Sequence, residues 1–154
     1  MKICFVCQAN ICRSFVAQQL LQHLLTQNKK PNIDVISRGI YTSPAYAVPD
    51  KIKNFLTQKQ ILPQTHTPVL LSKQDLAQSD LVLVMTQEQW DFVFNQAPQF
   101  TDKYHLLAEY ALGQEQEIED PISLTGKAFD RVMTQLEKAI LEVYRKITRP
   151  DTAL

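Results

Sequence analysis

Neither sign of charge is in excess in this chain: 16 lysines and arginines balance 16 aspartates and glutamates, for a formal net charge of zero. A nucleic acid or an anionic membrane surface as main partner calls for a basic surplus, so neither is expected. No apolar run approaches the ~20 residues of a membrane span, and Met1-Lys2 leads straight into a strand-like segment, which predicts no cleavable leader. Cysteine is sparse as well. There are three, Cys4, Cys7 and Cys12, and none follows Cys12. An odd, small number argues against a disulfide framework and predicts a reducing, cytoplasmic location. His23, His66 and His105 are scattered without metal-ligand partners at helical spacing, and read as surface or packing residues. No metal and no cofactor is therefore expected. Repeats, low-complexity tracts and linker-like stretches are lacking too, so residues 1–154 read as one domain, long enough to bury an apolar core without disulfides or metal.

What the chain does have is concentrated at its start. Lys2-Ile3-Cys4-Phe5-Val6 reads as a strand, β-branched, aromatic and uncharged after Lys2, while residues 15–25 carry apolar side chains at helical spacing. Between them lie Cys7-Gln8-Ala9-Asn10-Ile11-Cys12-Arg13-Ser14, with a cysteine where the strand stops and an arginine where the helix starts. The intervening backbone amides can curl around one centre, at a helix N-terminus whose free N–H groups and dipole favour negative charge. This is a cradle for a tetrahedral oxyanion with a nucleophile at its base. The same surroundings favour a thiolate over a thiol. Arg13 offers a planar fork matched to two phosphate oxygens, Ser14 offers a hydroxyl, and Asn10 tolerates left-handed backbone and can brace a tight loop from inside. Cys4 and Cys7 also form a C-x-x-C pair, the spacing of a redox motif or half a zinc site. No second pair completes a zinc shell, and Cys4 within a strand is an ordinary buried small side chain.

Further along, strand and helix patterns alternate. Residues 33–37 read as a second strand, Asp50 as the N-cap of a helix that ends before Pro63, and Ser72 with Asp75 as a capping pattern for a short helix. Residues 81–85 are the clearest buried strand, Thr86 caps the next helix, residues 104–107 form a weaker fourth strand, and residues 129–147 a long amphipathic helix. The pattern predicts an α/β fold: a single-domain three-layer sandwich with a four-stranded parallel sheet and helices on both faces. In such sheets ligands lie beyond the carboxyl ends of the strands, where Cys7 falls.

The segment Cys7 to Ser14 resembles the signature of the low-molecular-weight protein tyrosine phosphatases, a cysteine, five residues and an arginine followed by serine or threonine. Ser37-Arg38-Gly39, Asp80-Leu81-Val82-Leu83-Val84-Met85-Thr86, Glu109-Tyr110 and Asp120-Pro121 then fall in family order, so the resemblance covers essentially the whole chain and is closer to the bacterial branch. Ala9 stands where the family has glycine, which restricts the backbone there. Ile122 stands where an aromatic commonly follows the proline, and Phe15 where the family often has proline.

The resemblance implies a hydrolase, a cysteine-dependent and metal-independent protein tyrosine phosphatase acting on a phosphorylated protein through a cysteinyl-phosphate. It implies Cys7, Arg13 and Asp120 as catalytic residues, with Gln8, Ala9, Asn10, Ile11, Cys12, Arg13 and Ser14 as the phosphate-binding loop. Breaking a phosphate ester requires a proton at the departing oxygen; Asp120 sits, as in the family, on the loop before the last helix, and Pro121 holds it extended. Glu117 and Glu119 read as solvated neighbours. In the family a cysteine at the place of Cys12 can form a reversible disulfide with the nucleophile; the plainer reading is that it packs. Tyr41, Tyr46 and Ile122 are the expected substrate wall, the tyrosines supplying the ring that Ile122 lacks; the plainer reading of the tyrosines is as half-exposed loop residues. Three alternatives stay open. One is a protein arginine phosphatase of the same fold, whose members carry threonine at the place of Ile11. Another is an arsenate reductase, disfavoured because its relay needs later cysteines. The third is a non-catalytic oxyanion-binding relic, of which Ala9 and Ile122 would be the signs.

Overall fold

The computed structural model describes residues 1–62 and 65–150. Its centre is β1 (Lys2–Cys7), in which every residue after Lys2 is buried. β1 pairs in parallel with β2 (Asp34–Gly39) on one side and β3 (Leu81–Val84) on the other, and β4 (Tyr104–Leu106) lies beside β3, giving the order β2-β1-β3-β4. Successive strand side chains point to opposite faces. Ile3, Phe5, Leu81 and Leu83 pack on α1 (Arg13–Gln27), α2 (Asp50–Gln58), α5 (Leu107–Leu112) and α6 (Gly126–Thr148). Cys4, Val6, Val82 and Val84 pack on α3 (Lys73–Gln78) and α4 (Gln87–Gln96). Covering both faces is what makes unbroken apolar strands stable here, and it matches the expected three layers.

The capping signals of the short helices hold. Ser72 and Thr86 each close a capping box, with Asp75 and Gln89 respectively. Asp50 does not cap α2: Pro49 takes that position, and Asp50 is the first helical residue with no cap hydrogen bond from a side chain. α2 ends at Gln58; Pro63, the expected stop, lies outside the described residues. The fourth strand stops one residue early because Leu107 opens α5, a helix too short to show helical periodicity. Gly113, at φ 65, ends it in the left-handed conformation common at helix C-termini. α6 starts at Gly126 rather than at 129. Among the described residues, no helix is long and apolar enough to cross a membrane.

Strand order positions the site. From β1 the chain steps to β2 at one edge, then crosses back to β3 on the other side of β1. That reversal opens a crevice at the carboxyl end of β1, the usual ligand position in such sheets. Cys7 is the last residue of β1, directly opposite Gly39 of β2. A Cβ on Gly39 would lie 3.0 Å from the Ala9 carbonyl carbon and from the Gln8 carbonyl oxygen, both backbone atoms that cannot swing aside. Gly39→Ala is expected to push the loop at residues 8–10 outward and destabilise the protein by about 1–3 kcal/mol. A urea midpoint and loop amide resonances identical to those of the unsubstituted protein would contradict this.

Candidate functional site

The loop after β1 is built around Asn10. This residue is fully buried and has φ 59, in the left-handed region. Its Nδ2 donates to Ser14 Oγ and to Ser37 Oγ, at 2.9 Å each, and its Oδ1 accepts from the Val69 N–H at 3.0 Å. Its carbonyl oxygen lies 2.7 Å from His66 Nε2, which must carry the hydrogen because a carbonyl only accepts. Ser37 passes its own hydrogen to Gln18 Oε1 at 2.6 Å. Ser14 Oγ, accepting from Asn10, is 2.9 Å from Cys7 Sγ. Toward a thiolate, which only accepts, Ser14 is the donor. Ala9 is not among the described non-glycine residues with positive φ, which are Asn10, Lys29 and Gln60. The methyl group that replaces the family's glycine therefore meets no left-handed strain; that conformation falls one residue later, on a side chain suited to it.

Arg13 opens α1 and is 4% exposed. Its Nη1 donates to the Ile118 carbonyl at 2.9 Å, and its Nη2 lies 3.5 Å from Asp120 Oδ2. Ile118 is fully buried and donates its N–H to the Met85 carbonyl at 2.9 Å, tying the acidic loop to the end of β3. Asp120 has ψ 118, extended as expected before proline, and its Oδ1 caps the short 3₁₀ turn Pro121–Ser123 by accepting from Ile122 N–H at 3.1 Å. Glu117 is not merely solvated: its Oε2 accepts from the Gln87 N–H at 2.7 Å, at the start of α4, where a free amide and the helix dipole favour a carboxylate.

All three cysteines are free thiols. Burial, helped by the charges of Asp120 and Cys7 and opposed by Arg13 and Lys51, pushes the Cys12 thiol up to about 12, so it is held neutral inside the loop. Burial does the same to Cys4, also to about 12, leaving it an unreactive packing group. Ile11 is 8% exposed. The three expected wall residues stand at the surface around the loop. Tyr41 is 70% exposed, although its N–H binds the Gln8 carbonyl at 2.9 Å; Ile122 is 47% exposed; Tyr46 lines a hollow of about 350 Å³ with Phe15, Val48, Lys53 and His66. Among the described residues, no group of three or more His, Cys, Asp or Glu side chains is placed to hold a metal ion.

A family model described as low molecular weight phosphotyrosine protein phosphatase matches residues 2–152. The chain belongs to that family. It is 26% identical over 150 residues to a protein-arginine-phosphatase of Bacillus subtilis, covering 97% of this chain and 98% of the relative. It is 31% identical over 136 residues to the low molecular weight protein-tyrosine-phosphatase PtpB of Staphylococcus epidermidis, covering 88% and 91%. Among solved structures, a cysteine-to-serine mutant of the YwlE arginine phosphatase, with its active site serine phosphorylated, superposes with a TM-score of 0.89 at 25% identity, covering 98% of each chain. The shared fold accounts for the parallel sheet and for the loop at its carboxyl edge.

His66 is the site neighbour that the sequence pattern misses. It stacks on Phe15 at 4.2 Å between ring centroids and holds the loop by Asn10's carbonyl, yet nothing in its flanking residues marks it. Burial pushes its titration below the usual imidazole range, against the upward pull of the Asn10 hydrogen bond. The unfolded chain therefore takes up a proton more readily than the folded one, so His66 contributes stability that is present above about pH 6.5 and lost as pH falls toward the lowered folded value. Melting temperature is expected to drop more steeply between pH 7.5 and 5.5 for the unsubstituted protein than for His66→Gln; parallel curves would contradict it.

Proposed function

We propose that this protein hydrolyses phosphomonoesters on protein side chains, phosphotyrosine above all, with Cys7 as nucleophile, Arg13 and the loop amides as oxyanion binders, and Asp120 as general acid. One observation carries the reading: the Asp120 carboxylate, from the loop before α6, lies 3.5 Å from the guanidinium of Arg13 in the Cys7 loop, which supports a proton donor and a nucleophile serving one oxyanion site. The Cys7 thiolate attacks phosphorus in line, the ester P–O bond breaks, and Asp120 gives its proton to the departing oxygen. Arg13 and the amides of residues 8–14 hold the equatorial oxygens. Asp120, now a carboxylate, takes a proton from water as that water attacks phosphorus. The S–P bond breaks, and the Ser14 hydroxyl stabilises the leaving thiolate. Arg13 and the amides supply the positive charge, so the reading requires no metal. The phosphorylated active site serine of the YwlE mutant supports a covalent phosphoenzyme at the loop's nucleophile position.

Ile11, apolar and nearly buried in the loop, favours an aromatic ester over a guanidinium-borne phosphoryl group. Tyr41 and Tyr46 would then flank the ring. Phosphoarginine is the second reading, favoured by the whole-length similarity to an arginine phosphatase and by Ile122 in place of an aromatic. Burial holds the Cys12 thiol neutral, as it does Cys4, which supports the packing role over one that caps oxidised Cys7 as a disulfide. A Cys7 nucleophile needs a reduced thiol, which supports a cytoplasmic site of action. The two packed clusters on one sheet support residues 1–154 acting as one domain.

The test uses p-nitrophenyl phosphate with a thiol reductant and no added metal. Cys7→Ser is expected to abolish turnover; unchanged activity would sink the covalent reading. Asp120→Ala is expected to lower kcat/KM by about 10²–10³ for phenyl phosphate and far less for p-nitrophenyl phosphate, whose leaving group needs little protonation. An equal loss on both would point to a structural role. For substrate choice, phosphotyrosine peptides are expected to show the higher kcat/KM, and a preference for phosphoarginine peptides would reverse the order of the two readings.

A further inference from the structure

Lys51, in the first turn of α2, has no part in the chemistry above, yet its ammonium is fully committed. Nζ donates to the carbonyls of Pro121 at 2.8 Å, Ile122 at 2.6 Å and Leu124 at 2.8 Å. An ammonium has three hydrogens, and all are used. Three carbonyl dipoles aimed at one point repel each other, and a cation at their focus favours this shape of the turn after Asp120. The same ammonium lies over the ring of Phe129 in α6, 5.3 Å from its centroid, a cation–π contact that adds to its anchoring. Upstream of Asp120 the loop is anchored separately, by Glu117 on Gln87 N–H and by the Ile118 carbonyl on Arg13. Asp120 therefore sits between two fixed stretches, and Lys51 holds the downstream one together with the cap that Asp120 Oδ1 places on Ile122 N–H.

We propose that Lys51 is a positioning residue for the general acid, holding the turn at residues 121–124 so that the Asp120 carboxylate faces Arg13. The inference rests on the reading of Asp120 as proton donor. A lysine acting instead through its charge on the anionic loop would change the hydrolysis of every substrate alike. A lysine acting through the turn matters only when the leaving oxygen needs a proton. Lys51 reaches the turn at the surface, where Ile122 is 47% exposed, so Lys51→Met is expected to stay folded; Lys51→Gln, which keeps a donor, serves if it does not.

Lys51→Met and Asp120→Ala, singly and together, are compared by kcat/KM on phenyl phosphate and p-nitrophenyl phosphate, and amide hydrogen exchange is followed over residues 119–125. Lys51→Met is expected to lose about tenfold or more on phenyl phosphate and about twofold or less on p-nitrophenyl phosphate. It should add no loss in the Asp120→Ala background, and exchange should quicken in residues 119–125 only. Equal loss on both substrates, the same loss without Asp120, or unaltered exchange overturns the proposal. An unsubstituted protein that hydrolyses neither substrate overturns this proposal and the phosphatase reading together. Cys7-dependent hydrolysis without Lys51–Asp120 coupling overturns this one alone.

Discussion

The left-handed turn at Asn10 is the constraint on which the rest of the site depends. A buried side-chain amide left without partners costs about 1–3 kcal/mol for each unsatisfied group, and here every group is satisfied by a different part of the molecule. Ser14 comes from α1, Ser37 from β2, and Val69 from the segment that pairs with Gly39 at the end of β2; His66, from the same segment, binds Asn10's main-chain carbonyl. Each contact fixes something beyond Asn10 itself. Ser14 is held where its hydroxyl reaches Cys7, and the loop is drawn down against β2 until its backbone passes within 3.0 Å of where a Cβ on Gly39 would stand. The absence of a side chain at Gly39 and the presence of one at Asn10 are two halves of a single packing solution.

Arg13 joins this loop to the other half of the site. A buried guanidinium needs partners for its donors and its charge. It finds a carbonyl at Ile118 and a half-exposed carboxylate at Asp120, both on the loop that leads to α6. The acidic run 115–120 is therefore not an idle solvated stretch. One glutamate is spent on a helix N-terminus, one residue is buried against β3, and the aspartate is held between Arg13 and the turn that Lys51 gathers. Its polarity is apparent in the sequence; its attachment is not.

Much of the fold was legible because the signals are local. Apolar runs at residues 2–6 and 81–85 marked strands that are covered on both faces, and Ser72 and Thr86 cap the helices they announced. The misreadings have equally local causes. At Asp50 the preceding proline displaced the expected cap, and α5, a single short helix abutting β4, offered too few residues for a period to register. In the candidate site, Cys7, Asn10, Arg13 and Ser14 were readable as one contiguous strand–loop–helix junction. Ala9 looks from the sequence like a restriction on the loop, and that it carries no left-handed strain appears only once φ is known to turn positive at Asn10.

The sequence by itself determined the cysteine at the end of β1, the arginine opening α1, the asparagine between them and an extended aspartate before Pro121, because each follows from neighbours within a few residues. Only the tertiary structure decided that Asp120 meets Arg13, that His66 and Ser37 brace Asn10, and that Lys51 grips the turn beyond Asp120. The reason is the strand order β2-β1-β3-β4: it turns the chain back across β1 and stacks segments far apart in sequence at one edge of the sheet. No local pattern of residues encodes those meetings.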